Sequence, residues 1–127
     1  MLKILVVDDS KLARRRIIQM ITEVNVKYEV VAEAVDGEEA LKQFTQFKPN
    51  LVITDLEMPK LSGIELIYKL KEIEDIPILV ISSLINQEVK HKLHTFKNIE
   101  FLRKPINSNL INRILLKLEH KLTLGES

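Results

Sequence analysis

Asp8, Asp9 and Asp55 are carboxylates with no histidine or cysteine near them in the chain, while Ser82 and Lys104-Pro105 add a hydroxyl and a cation. Carboxylates packed together repel by roughly 4 kcal/mol per pair at about 4 Å and an effective dielectric near 20, so an empty cluster is strained or partly protonated. A divalent cation removes that strain, and all-oxygen donors suit Mg²⁺ or Mn²⁺. Mg²⁺ usually keeps several waters and joins one or two carboxylates to a phosphate oxygen, which points to phosphate chemistry. In such a site an aspartate can be the nucleophile and form an aspartyl phosphate, with metal and cation neutralising the phosphoryl oxygens. Taken singly, the same residues have plainer readings: Asp8-Asp9 as turn and cap, Ser82 as a cap, Lys104-Pro105 as a turn. Their common position decides, and position follows from the elements.

Short β-branched runs alternate with segments of helical period, the pattern of βαβ units on a parallel sheet. Leu2 to Val7 reads as strand one and Lys11 to Val24 as a helix with Ala13, Ile17, Met20, Ile21 and Val24 on one stripe. Tyr28 to Ala34, interrupted by Glu29 and Glu33, suits an edge strand. Helix two starts near Asp36 or Gly37, turns Ala40, Leu41, Phe44 and Phe47 inward, and stops at Pro49-Asn50. Leu51 to Thr54 is strand three; after a Pro/Gly loop, Ser62 caps a helix carrying Gly63, Ile64, Ile67 and Leu70. Ile78 to Ile81 is strand four, followed by a thinly striped helix over Ile85 to Phe96 with Ile85, Val89, Leu93 and Phe96. Glu100 to Arg103 is strand five, and from about Ser108 a last helix shows Leu110, Ile111, Ile114, Leu115, Leu118 and Leu122. The expected domain is 1–122, with 123–127 frayed. Asp8 and Asp9, Asp55, Ser82 and Lys104 each follow a strand, so all fall at the carboxyl edge of the sheet, where open α/β proteins gather their functional groups.

The 127 residues suit one domain, and 46% are apolar, enough for an ordinary core. With 19 basic against 18 acidic residues there is no global cationic field for nucleic acid or a membrane surface. The absence of cysteine excludes disulfides and thiolate zinc sites. The longest apolar runs are too short to span a bilayer and Met1-Leu2-Lys3 leads straight into a strand, so a cytoplasmic protein is expected.

Val6-Val7-Asp8-Asp9, Asp55-Leu56-Glu57-Met58-Pro59-Lys60-Leu61-Ser62-Gly63, the Ser82 strand end and Lys104-Pro105 together resemble the signature of chemotaxis-type response-regulator receiver domains, over essentially the whole chain. The resemblance implies a three-layer, flavodoxin-like α/β/α fold of five parallel strands in order 2-1-3-4-5, with helices one and five on one face. It implies Asp55 as phosphoacceptor, Asp9 as a direct Mg²⁺ ligand, Asp8 as a ligand largely through water, and the Glu57 backbone carbonyl as a further contact. Lys104 then pairs with Asp55 and later with a phosphoryl oxygen, and Ser82 donates to another. Phe101 matches the switch aromatic, which moves inward and alters a readout face of helix four, strand five and helix five. The Glu57 side chain and Leu84 are expected beside the phosphoryl group, modulating its hydrolysis.

The implied role is a two-component signalling switch, not an enzyme beyond assisting its own phosphorylation and autodephosphorylation. Its donor would be a histidine kinase or phosphotransfer protein, docking on helix one with Lys11, Arg14, Arg15 and Arg16, and its target a protein on the readout face. A free-standing receiver is expected, a receiver cut from a longer regulator being the alternative. A small-molecule phosphatase would need a second acid, commonly an aspartate, two residues past Asp55, where Glu57 stands instead, and a cap insertion that the chain lacks. A flavin-binding reading needs a small polar phosphate loop after strand one, where two aspartates stand instead. His91 and His94, among Lys90, Lys92 and Lys97, read as a solvated basic face and not as a metal pair. His94-Thr95-Phe96-Lys97-Asn98 departs from the family's usual Gly-Ala pair, leaving that connection open.

Overall fold

The computed structural model describes residues 2–24 and 27–123. β1 (Lys3–Val7), β3 (Leu51–Thr54) and β4 (Ile78–Ser82) are almost wholly buried, as the central strands of a parallel sheet covered on both faces must be. β2 (Glu29–Ala34) and β5 (Ile99–Arg103) are only partly buried and form the edges. All pairings are parallel and the order is β2-β1-β3-β4-β5, as expected. One irregularity lies between β1 and β2, where Ile4 pairs with Val30 but Leu5 with Ala32.

Successive strand residues point to opposite faces. Ile4, Val6, Ile53 and Ile81 therefore pack with Ile17 and Ile21 of α1 (Lys11–Val24) and Ile111, Leu115 and Leu118 of α5 (Ser108–Thr123). Leu5, Val7, Val52 and Val80 meet α2 (Gly37–Phe47), α3 (Gly63–Ile73) and α4 (Gln87–Leu93) through Ala40, Phe44, Leu66, Leu70 and Leu93. Helices one and five thus share a face. Ser62 caps α3 in a full capping box with Glu65.

Three details differ from expectation. Phe47 is 43% exposed because it is the last residue of α2, and the chain reverses at Lys48 in the left-handed region. Leu110 is 42% exposed because it lies one residue off the Ile111, Leu115, Leu118 stripe. α4 is shorter than 85–96: Asn86 caps it by accepting from the Val89 N–H, and it ends at Leu93 in tight turns that close on Asn98, also left-handed. Ile85 is buried ahead of the helix and Phe96 packs edge-on against Tyr68 beyond it. The side chain of Val24 and the tail from 124 onward lie outside the described residues.

Candidate functional site

Backbone hydrogen bonds continue one residue past the strands and fix the polar residues there. The Asp8 N–H donates to the Ala34 carbonyl at 3.1 Å, Asp55 to Val7 at 3.0 Å and Lys104 to Ser82 at 3.0 Å. These bonds place Asp8, Asp55, Ser82 and Lys104 on one edge. Lys104 Nζ donates to Asp55 Oδ2 at 2.8 Å and to Asp8 Oδ2 at 2.9 Å. Asp55 Oδ1 accepts from the N–H groups of Leu56 at 2.6 Å and Glu57 at 3.3 Å. Ser82 is fully buried, and its Oγ accepts from the Leu84 N–H at 3.1 Å. Ser10 completes the turn: its N–H donates to Asp8 Oδ1, and its Oγ receives the Ala13 N–H at the start of α1.

The loop behind Asp55 is shaped by Gly63. A Cβ there would stand 2.2 Å from the Asp55 carbonyl oxygen and 2.6 Å from Leu56 Cα, so only glycine lets α3 begin against the loop that follows Asp55.

One ammonium shared by two buried carboxylates leaves a net negative site. Burial raises the Asp8 carboxyl above its ordinary value, outweighing the bonds from Ser10 and Lys104. Burial pushes Asp55 up as well, but hydrogen bonds from Lys104, Ser82 and the Leu56 N–H outweigh it and leave Asp55 lowered. Burial lowers Lys104, and the two aspartates more than reverse this, so it stays charged.

Asp9 sits on the exposed side of the turn, and Glu57 and Leu84 are exposed near Asp55 and Ser82. Phe101 is half-buried on β5 with Lys90 Nζ 5.8 Å from its ring centre. Of the α1 basic run, Lys11, Arg15 and Arg16 are exposed, but Arg14 turns inward. Nothing in its residue type or spacing separates it from Arg15 and Arg16 in the sequence. Lys71, also unremarked in the sequence, is 5% exposed and bridges the end of α3 to the turn before β5.

Among the described residues no three His, Cys, Asp or Glu side chains converge on one point. That suits Mg²⁺, which takes one or two carboxylates and fills its octahedron from water and phosphate, and does not suit a caged metal. The buried, under-neutralised Asp8 and Asp55 are the donors such an ion would relieve.

The fold and this edge define a phosphorylation-type signalling domain. Residues 4–116 match the response regulator receiver domain, and the chain belongs to that family. It is 36% identical over 127 residues to a protein-glutamate methylesterase/protein-glutamine glutaminase of Bacillus subtilis (strain 168), covering 96% of this chain and 34% of that protein. The chain thus spans about a third of that relative's length. Among solved structures, the N-terminal domain of an uncharacterized Wolinella succinogenes protein aligns at TM-score 0.84 and 30% identity, covering 99% of this chain and 100% of that one. The response regulator domain of Thermotoga maritima CheB aligns at TM-score 0.78 and 26% identity, over 94% and 97%. The chain is a receiver domain of two-component signalling. Among the described residues no helix is long and apolar enough to cross a membrane.

Proposed function

We propose that this receiver accepts a phosphoryl group on Asp55 in a Mg²⁺-dependent transfer. The observation that carries the reading is the Lys104 ammonium held between two buried carboxylates, Asp8 and Asp55. An Asp55 carboxylate oxygen attacks phosphorus, the bond to the donor imidazole nitrogen breaks, and the imidazole leaves and takes a proton. Asp55 keeps its carboxylate ionised for this step because hydrogen bonds outweigh burial. Lys104 follows the charge from Asp55 to a phosphoryl oxygen, and the Ser82 hydroxyl turns to donate to another. Asp9, Asp55 and the Glu57 carbonyl would hold Mg²⁺, with Asp8 reaching it largely through water, and the bound ion would supply charge neutralisation at the transferring group.

The donor is a histidine kinase or phosphotransfer protein. Supporting this, a cleft of about 440 Å³ opens beside Lys104 between α1 and Pro105-Ile106, with Leu12 65% exposed at its rim. The response passes from Ser82 to the half-buried Phe101, and the α4, β5 and α5 surface binds the target. Glu57 and Leu84, exposed beside the site, tune water access and so the lifetime of the phosphoryl group. A second reading, the receiver portion of a longer regulator, is favoured by the matching segment being 34% of the Bacillus subtilis relative. The test is labelling by a small acyl phosphate with Mg²⁺ followed by peptide mapping. A hydroxylamine-labile phosphoryl group on the Asp55 peptide is expected; labelling elsewhere, or labelling unaffected by EDTA, contradicts the reading.

A further inference from the structure

Arg14 stands apart from its basic neighbours. Its side chain is 11% exposed, with Nη1 donating to the Asp8 carbonyl at 2.7 Å and Nε to Glu33 Oε1 at 3.0 Å. Glu33 lies on β2 opposite Val6, so the guanidinium ties the edge strand to the end of β1. The Asp8 carbonyl belongs to the peptide that joins Asp8 to Asp9, and the preceding Val7–Asp8 peptide is anchored by the Asp8 N–H donating to the Ala34 carbonyl. A peptide unit is planar, so fixing its carbonyl also fixes the Asp9 nitrogen and the direction in which Asp9 leaves the strand. Among the described residues no hydrogen bond or ion pair engages the exposed Asp9 side chain itself, so this peptide is what sets its approach. A rigid guanidinium fork can serve two acceptors at once, which an ammonium does less well. No acidic residue occupies the first turn of α1 to offset a cation placed there.

We propose that Arg14 is a positioning residue for the cation site: it clamps the Asp8–Asp9 peptide so that both carboxylates address one ion, and Glu33 holds the clamp in place. The inference rests on the reading of the site as a Mg²⁺ site. Outer contacts that orient metal ligands are typically worth about 10–100-fold in metal affinity. Coulomb's law alone gives the opposite sign, since deleting a cation beside the site would tighten Mg²⁺ binding. The direction of the change therefore separates a clamp from a bystander charge.

The experiment is calorimetric titration of Mg²⁺ into the full chain as wild type, Arg14→Met and Glu33→Ala, with amide spectra confirming the fold. Arg14→Met is expected to bind Mg²⁺ roughly 10-fold more weakly, and Glu33→Ala more weakly by a smaller factor. Phosphorylation by a small acyl phosphate should need correspondingly more Mg²⁺, with the rate recovered at saturation. Should Arg14→Met fail to fold, Arg14→Lys, which keeps the charge but not the guanidinium fork, carries the test: a bystander charge leaves Mg²⁺ affinity unchanged, and a lost clamp weakens it. Unchanged or tighter Mg²⁺ binding in the variants overturns the clamp and leaves the reading of the site standing. A wild type that binds no Mg²⁺ overturns both.

Discussion

Lys104 Nζ lies 2.8 Å from Asp55 Oδ2, joining the end of β5 to the end of β3 through a half-buried contact that also reaches Asp8. Replacing Lys104 by methionine leaves two buried carboxylates without a cation. Urea unfolding in EDTA should show a loss of about 2 kcal/mol, the order of a charge-assisted hydrogen bond left unmade. Mg²⁺ should restore part of it. Equal stability of variant and wild type in EDTA would deny Lys104 its neutralising role.

Asp8 and Asp55 respond to pH with opposite signs. Burial raises Asp8, so its contribution is fully present below the ordinary carboxylate range and is lost as pH rises through its raised value. Burial is overcome at Asp55, mainly by Lys104, so its contribution is present above the ordinary range and lost as pH falls through its lowered value. At neutral pH an ionised Asp8 costs stability. Asp8→Asn should therefore melt several degrees above wild type in EDTA, a gain of about 1 kcal/mol that shrinks toward about pH 4. Mg²⁺ should raise the melting temperature of wild type more than that of the variant.

Gly63→Ala drives a methyl group into the Asp55 backbone, where a Cβ would be 2.2 Å from the carbonyl oxygen. Denaturant unfolding is expected to show a loss of about 2–3 kcal/mol from overpacking. Phosphorylation by a small acyl phosphate should slow as well, because the strained atoms belong to the backbone of Asp55, the proposed acceptor.

Lys71 donates at 2.8 Å to Asp75 Oδ1 and to the carbonyls of Ile76 and Lys97. Lys71→Met should cost about 1 kcal/mol, mainly by unpairing the part-buried Ile76 carbonyl, since Asp75 and the Lys97 carbonyl can turn to water. Amide exchange should quicken at Ile78 and Ile99, while phosphorylation by an acyl phosphate keeps its wild-type rate.

Much of this arrangement was legible before any coordinates, for a physical reason. Strand burial on both faces leaves Val/Ile/Leu runs that stand out, and each ends in a polar residue, so Asp8, Asp55 and Ser82 were assignable to one edge, with Lys104 following the shorter mixed run of β5. The β2 edge declared itself through Glu29 and Glu33, whereas β5 carried no such sign. What stayed hidden depended on direction and not on type. Arg14 reads like Arg15 and Arg16, and only the fold shows it turned toward the Asp8 carbonyl. The bounds of α4 were set by the Asn86 side-chain cap and by the tight turn at His94, which compete with a weak apolar stripe. Phe47 and Leu110 have the right residue type for the core, but one lies at a chain reversal and the other off its stripe.

The central claim is tested most directly by intact mass after incubation with a small acyl phosphate and Mg²⁺, for wild type and Asp55→Asn side by side. The expected result is a gain of one phosphoryl group by wild type, abolished by EDTA and absent from Asp55→Asn. An equal gain in both proteins would contradict Asp55 as the acceptor.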